Sequence, residues 1–129
     1  DNTLKAMNRH YNCAEYAEIV TNLRNAFENS SMTTDVMVGF AGETEEDFNA
    51  SLNFVKSIGF AKVHIFPYSR RKGTVADKAP NQIDPQIKEQ RAKIMEQVCD
   101  ETRREFLKDQ VGLCESVLVE RLRHGYLEG

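Results

Sequence analysis

Two short apolar runs, one on each side of a helix-patterned stretch, constrain the fold more than any other feature. Val36-Met37-Val38-Gly39-Phe40 closes a run over residues 32–40 and is continuous and partly β-branched, as suits a strand covered on both faces. Residues 60–67 form the second run. Between them Thr44 and Asp47 make a capping pair, and Glu45 and Glu46 put negative charge where a helix dipole is positive. Phe48, Leu52, Val55 and Ile58 then recur at helical spacing, and Gly59 supplies a C-terminal stop. Strand, helix and strand with such short connections predict a compact βαβ unit over residues 32–67. Parallel strands end on one side of their sheet, and in parallel α/β folds that side holds the ligand site. Both runs lead there into glycine-bearing loops: Ala41-Gly42-Glu43-Thr44 after the first, Ser69-Arg70-Arg71-Lys72-Gly73-Thr74 after the second.

The flanking segments extend the pattern. Asn12 and Glu15 form a second capping box, followed by Tyr16, Ile19, Val20, Leu23 and Phe27 on one helical face, with Asn29-Ser30-Ser31 as the stop. Residues 72–83 read as irregular. Asp84-Pro85 pairs an N-cap with proline at the first helical position and starts a helix predicted to end near Lys108, with a seam of Ile87, Ile94, Val98, Thr102 and Phe106. Val111-Gly112 breaks it, residues 116–120 predict a last strand, and His124-Gly125-Tyr126 a turn. The predicted order is helix, strand, helix, strand, helix, strand.

Parity singles out two polar residues. Asp35, Met37 and Gly39 share one strand face, and His64, Phe66 and Tyr68 share one face of the next. An unpaired carboxylate is costly against a packed helix layer. Asp35 therefore either faces a watered or ligand-filled space or is bonded to backbone N–H groups or an arginine; His64 reads better as a hydrogen-bonded structural histidine. The carboxylates at 43, 45, 46 and 47 read as electrostatics of a helix start. Gly39-Phe40-Ala41-Gly42 has neither the spacing nor the lysine of a phosphate-binding loop, and Ser69 has no triad around it in the sequence.

Charge and cysteines narrow the classes. The formal charge of −3 argues against autonomous nucleic-acid binding and leaves Arg70, Arg71 and Lys72 as the one basic site, since Arg103 and Arg104 read as a solvated helix face. Cys13, Cys99 and Cys114 lack metal or redox spacing, so no metal site is expected from this chain alone. No apolar run approaches the ~20 residues that span a bilayer. Residues 1–5 lack a signal-peptide core, so a cytoplasmic setting with no membrane partner is expected.

Three motifs in order carry a resemblance: Leu4-Lys5-Ala6-Met7-Asn8-Arg9-His10-Tyr11, the string from Thr34-Asp35-Val36 through Gly39 and Gly42-Glu43-Thr44 to Phe48, and Tyr68-Ser69-x-Arg71-x-Gly73-Thr74-x-Ala76. Together they resemble the radical-SAM methylthiotransferases over essentially the whole chain, with Ala41 where that family usually has proline. The resemblance implies an α/β fold: part of a radical-SAM partial (βα) barrel over 1–109, then a linker and the first strand of a β-rich TRAM domain over 110–129. It implies a fragment that is inactive alone, because the cysteines for two [4Fe–4S] clusters are absent; the full-length enzyme would use both clusters and S-adenosylmethionine.

By the same resemblance Arg9 pairs with the methionine carboxylate, Asp35 accepts from the ribose hydroxyls, and Phe66 and Pro67 line the adenine pocket. Arg70, Arg71 and Lys72 seat a tRNA anticodon loop. The reaction implied is hydrogen abstraction from adenine C2, then sulfur insertion and methylation, with an electron donor as a further partner. His64-Ile65-Phe66-Pro67 points to the threonylcarbamoyladenosine branch; the isopentenyladenosine branch is the alternative. The ribosomal-protein branch, a porphyrinogen-type radical-SAM oxidase and a non-enzymatic α/β interaction module are further rivals. The module reading makes Arg9 and Asp35 a structural ion pair. Unpaired strand edges would favour self-association of the fragment.

Overall fold

The computed structural model describes residues 1–128. Its elements are α1 (Asn2–Ala6), α2 (Cys13–Ala26), β1 (Thr33–Val38), α3 (Glu45–Ile58), β2 (Lys62–Pro67), a 3₁₀ turn (Ala76–Lys78), α4 (Pro85–Asp109), β3 (Arg121–Arg123) and β4 (Tyr126–Glu128). β1 and β2 pair in parallel, from Thr33↔Lys62 to Val38↔Pro67, so the βαβ unit forms as its pattern predicts. Capping boxes start α2 and α3: the Asn12 side chain accepts from the Glu15 N–H at 2.9 Å, and the Thr44 hydroxyl from the Asp47 N–H at 3.1 Å. Gly59 ends α3 in the left-handed region at φ 66°. The core joins Val20, Val38, Phe48, Val55, Ile58, Phe60, Met95 and Cys99, with α4 packed against β2 and α3.

Four expectations need correcting. Residues 114–120 have no regular structure. A strand requires a partner, and here the hairpin of β3 and β4 takes the pairing instead, turning through His124 and Gly125 (φ 49° and 84°) in the twist that two-residue hairpins need. Leu118, meant for that strand's interior, is 82% exposed. Along α4 the predicted seam holds at Thr102 and in part at Ile94, but the buried stripe is Lys88, Arg91, Met95, Cys99 and Thr102, because both cations find acceptors, while Ile87 is exposed. Of the face predicted for α2, Val20 is buried and Tyr16 packs against the core, but Ile19, Leu23 and, at the C-cap, Phe27 are exposed. Tyr68 leaves its strand's open face and is buried, its ring 5.0 Å from that of Phe40.

Candidate functional site

The two faces of the parallel sheet differ. Val36, Val38, Val63 and Ile65 turn toward the helices. The other face pairs Asp35 with His64 and Met37 with Phe66; Asp35, His64 and Phe66 on it are exposed. His64 is thus an exposed open-face residue beside Asp35, without a side-chain hydrogen bond among the described residues, which corrects its reading as a hydrogen-bonded structural histidine.

Beside β1 lies a cleft of ≈ 280 Å³ walled by Met7, Arg9 and Tyr11, by Asp35 and Met37, by Phe54 of α3 and by Phe66 of β2. Arg9 reaches it through a tight turn after α1. Asn8 adopts φ 58°, a conformation asparagine tolerates, and the Arg9 N–H donates to the Leu4 carbonyl at 2.9 Å. Among the described residues no ion pair joins Arg9 to Asp35, so the structural pairing of the module reading is absent. One guanidinium, that of Arg9, lines this space with several carboxylates, Asp35 among them, several aromatic rings and the thioethers of Met7 and Met37. That set suits a ligand carrying a carboxylate, hydroxyls and a flat base.

Pro67, Arg70, Arg71 and Lys72 lie outside the cleft lining. The parallel register still sets the two strand-end loops side by side, and the Tyr68 N–H donates to the Val38 carbonyl at 2.8 Å. Arg70 is engaged within its loop: Nε meets Asp77 Oδ1 at 3.0 Å and a terminal nitrogen donates to the Asp77 carbonyl at 2.7 Å. Arg71 accepts from Thr74 through its backbone carbonyl, and the side chains of Arg71 and Lys72 are exposed with no ion pair among the described residues.

Sequence reasoning missed the group that ties these loops together. Glu43, read as helix-start charge, has a side chain 2% exposed, and its Oε2 accepts from the Gly39 N–H at 2.8 Å and from Arg91 at 2.6 Å. Arg91 also reaches Glu45 at 3.1 Å and lies over the Phe48 ring. Burial pushes the Glu43 carboxyl above its ordinary value, opposed by the Gly39 N–H and by Arg91. One turn earlier Lys88 donates to the Tyr68 carbonyl at 3.0 Å. The only local signal was a helix register placing two cations on an inward face.

Among the described residues no three His, Cys, Asp or Glu side chains group as metal ligands, and the three cysteines are free. Cys99 is buried, with its thiol pushed up to about 11 by that burial. These residues do not fit an iron–sulfur cluster. Among the described residues no helix is long and apolar enough to cross a membrane.

No protein-family model matches the chain. It is 37% identical over 117 residues to the tRNA-2-methylthio-N(6)-dimethylallyladenosine synthase of Pelotomaculum thermopropionicum, covering 91% of this chain and 26% of that protein. The protein of the same name from Ehrlichia chaffeensis is 38% identical over 118 residues, covering 92% of this chain and 27% of its own. That of Caldicellulosiruptor saccharolyticus is 35% identical over 128 residues, or 98% and 27%. The chain spans about a quarter of the length of these curated relatives.

Proposed function

We propose that this chain, which belongs to the methylthiotransferase family, is a segment of a radical-SAM enzyme that methylthiolates tRNA. The observation that carries the reading is the cleft, which gathers Arg9 and Asp35, from two of the quoted motifs, and Phe66, from the strand leading into the third, around one space. The donor set fits S-adenosylmethionine. Arg9 binds the amino-acid carboxylate, for which a guanidinium fork is well shaped. Asp35 accepts from the ribose hydroxyls and Phe66 faces the base. When bound, the nucleoside supplies the radical and methyl chemistry; the chain's own residues bind and orient it. Cluster ligands would come from other parts of a longer protein.

The substrate proposed is tRNA bearing dimethylallyl (isopentenyl) adenosine. The string from His64 to Pro67 favoured threonylcarbamoyladenosine, but the names of the similar proteins favour the other base. Arg71 and Lys72 face the tRNA phosphates, while Arg70 shapes their loop.

The full-length protein, given reductant and S-adenosylmethionine, should add a methylthio group to tRNA carrying dimethylallyladenosine, read by nucleoside mass spectrometry. Product on threonylcarbamoyl tRNA alone would return the assignment to that branch, and product on neither would sink it. Arg9→Ala and Asp35→Ala should each weaken S-adenosylmethionine binding by about tenfold or more, the loss of one charged hydrogen bond.

A further inference from the structure

Lys88 is 9% exposed, on a helix face where an apolar residue would fill the same volume. Its ammonium enters none of the ion pairs among the described residues. Lysine is seldom buried without a pairing partner. Its Nζ donates instead to the Tyr68 carbonyl and lies 5.0 Å from the centre of the Tyr68 ring. Tyr68 is the residue at which β2 gives way to the basic loop, and three other contacts surround that point. The Tyr68 N–H continues the sheet ladder to Val38, its ring abuts Phe40, and the loop beyond is tied to itself through Arg70–Asp77 and Thr74–Arg71. Sheet and loop therefore hold the Tyr68 N–H and ring and the residues beyond. The Tyr68 carbonyl is held from the helical layer.

We infer that Lys88 is a positioning residue for the RNA-facing loop: from α4 it fixes the Tyr68 carbonyl and so sets where Arg71 and Lys72 stand relative to the cleft. The inference rests on the proposed binding of S-adenosylmethionine and RNA by this region. The stem of Lys88 has a separate packing role. A Cβ on Gly39, which sits at φ +70°, would lie 2.4 Å from Lys88 Cγ, so the stem fills the space the glycine leaves open. Lys88→Met keeps most of that stem and removes the ammonium, with its hydrogen bond, its charge and its contact with the Tyr68 ring. Lys88→Arg restores donor and charge together, so loop exchange is the readout that separates anchoring from charge.

The test uses the full-length protein, with S-adenosylmethionine and a synthetic anticodon stem–loop as separate probes and amide hydrogen exchange as a third readout. Lys88→Met is expected to weaken stem–loop binding about tenfold, or about 1.4 kcal/mol, and to leave S-adenosylmethionine affinity near wild type. Exchange should rise in the peptide covering residues 68–78 and nowhere else. Lys88→Arg, which retains a donor, should recover RNA affinity and protection together. Unchanged RNA affinity in Lys88→Met overturns the inference. So does a loss of both ligands with a general fall in protection, which is what a merely structural residue produces. A loss of RNA affinity without change in loop exchange also overturns it, pointing to long-range charge alone. A wild-type protein that binds neither probe overturns the functional reading first, in the arm without substitutions, and the inference with it.

Discussion

Replacing Arg91 by methionine isolates the energetics of the buried pair at the strand ends. Methionine preserves much of the apolar stem but loses the guanidinium that lies over the Phe48 ring, and leaves the Glu43 carboxylate, 2% exposed, held by the Gly39 N–H at 2.8 Å alone. Removing one member of a buried ion pair costs about 3–5 kcal/mol, because the remaining charge is left uncompensated. With a urea slope of about 2 kcal/mol/M for a chain of this size, the midpoint should fall by roughly 2 M. Adding Glu43→Gln removes the stranded charge while its carbonyl still accepts from Gly39. The double variant should recover all but about 1–2 kcal/mol, the worth of the hydrogen bonds not replaced. Glu45 loses a partner as well, but it is solvent-exposed and contributes little.

The same cycle has a signed pH dependence. A carboxyl whose pKa is higher in the folded than the unfolded state favours folding when protonated. That contribution is complete below the unfolded pKa and is lost as pH rises through the folded one. Burial raises the Glu43 value, and Arg91 opposes the rise. Without Arg91 it climbs further. The penalty of Arg91→Met is therefore largest at neutral pH and shrinks toward acid, and Glu43→Gln flattens the difference. Urea unfolding by circular dichroism across pH measures both effects. If the single and double variants unfold at the same midpoint, and the Arg91→Met penalty is the same at acid and neutral pH, the pair does not carry the energy assigned to it.

Two further outcomes follow from the same packing. Gly39→Ala combines left-handed backbone strain with overlap on the buried Lys88 stem, and should cost about 2–4 kcal/mol; Gly42→Ala, at φ +84° with its nearest neighbour atom 4.0 Å from the added Cβ, should cost only about 1–2. Equal shifts in thermal midpoint would remove the steric argument. Among the cysteines, exposed Cys114 should react first with a thiol reagent at mild alkaline pH, and Cys99, buried and pushed up to about 11, last; an early-reacting Cys99 would mean that the packing around it opens.

Local rules made much of the fold legible. Thr44 with Asp47, Asn12 with Glu15, Asp84-Pro85 and Gly59 mark helix ends through contacts within a few residues of themselves, and all four act as read. Strand parity grouped Asp35 with Met37 and His64 with Phe66 because side-chain alternation is a property of the backbone; the register that sets both pairs on one open face comes from the packed sheet. The last strand could not be read this way: residues 116–120 are as apolar and β-branched as any strand, but pairing depends on a partner, and their neighbours turn back on themselves at His124-Gly125.

The chain's own order of residues settles where helices begin, which strands run parallel, and that Arg9 and Asp35 belong to motifs of one family likeness, with Phe66 on the strand leading into the third. Only the tertiary structure decides that these three share a cleft, that Arg70 is occupied by Asp77, and that Glu43 is buried against Arg91 forty-eight residues away. The division has one physical cause. Caps, turns and face alternation depend on neighbours a few bonds off, whereas the worth of a charge depends on what removes its water, and that is fixed only when distant segments pack.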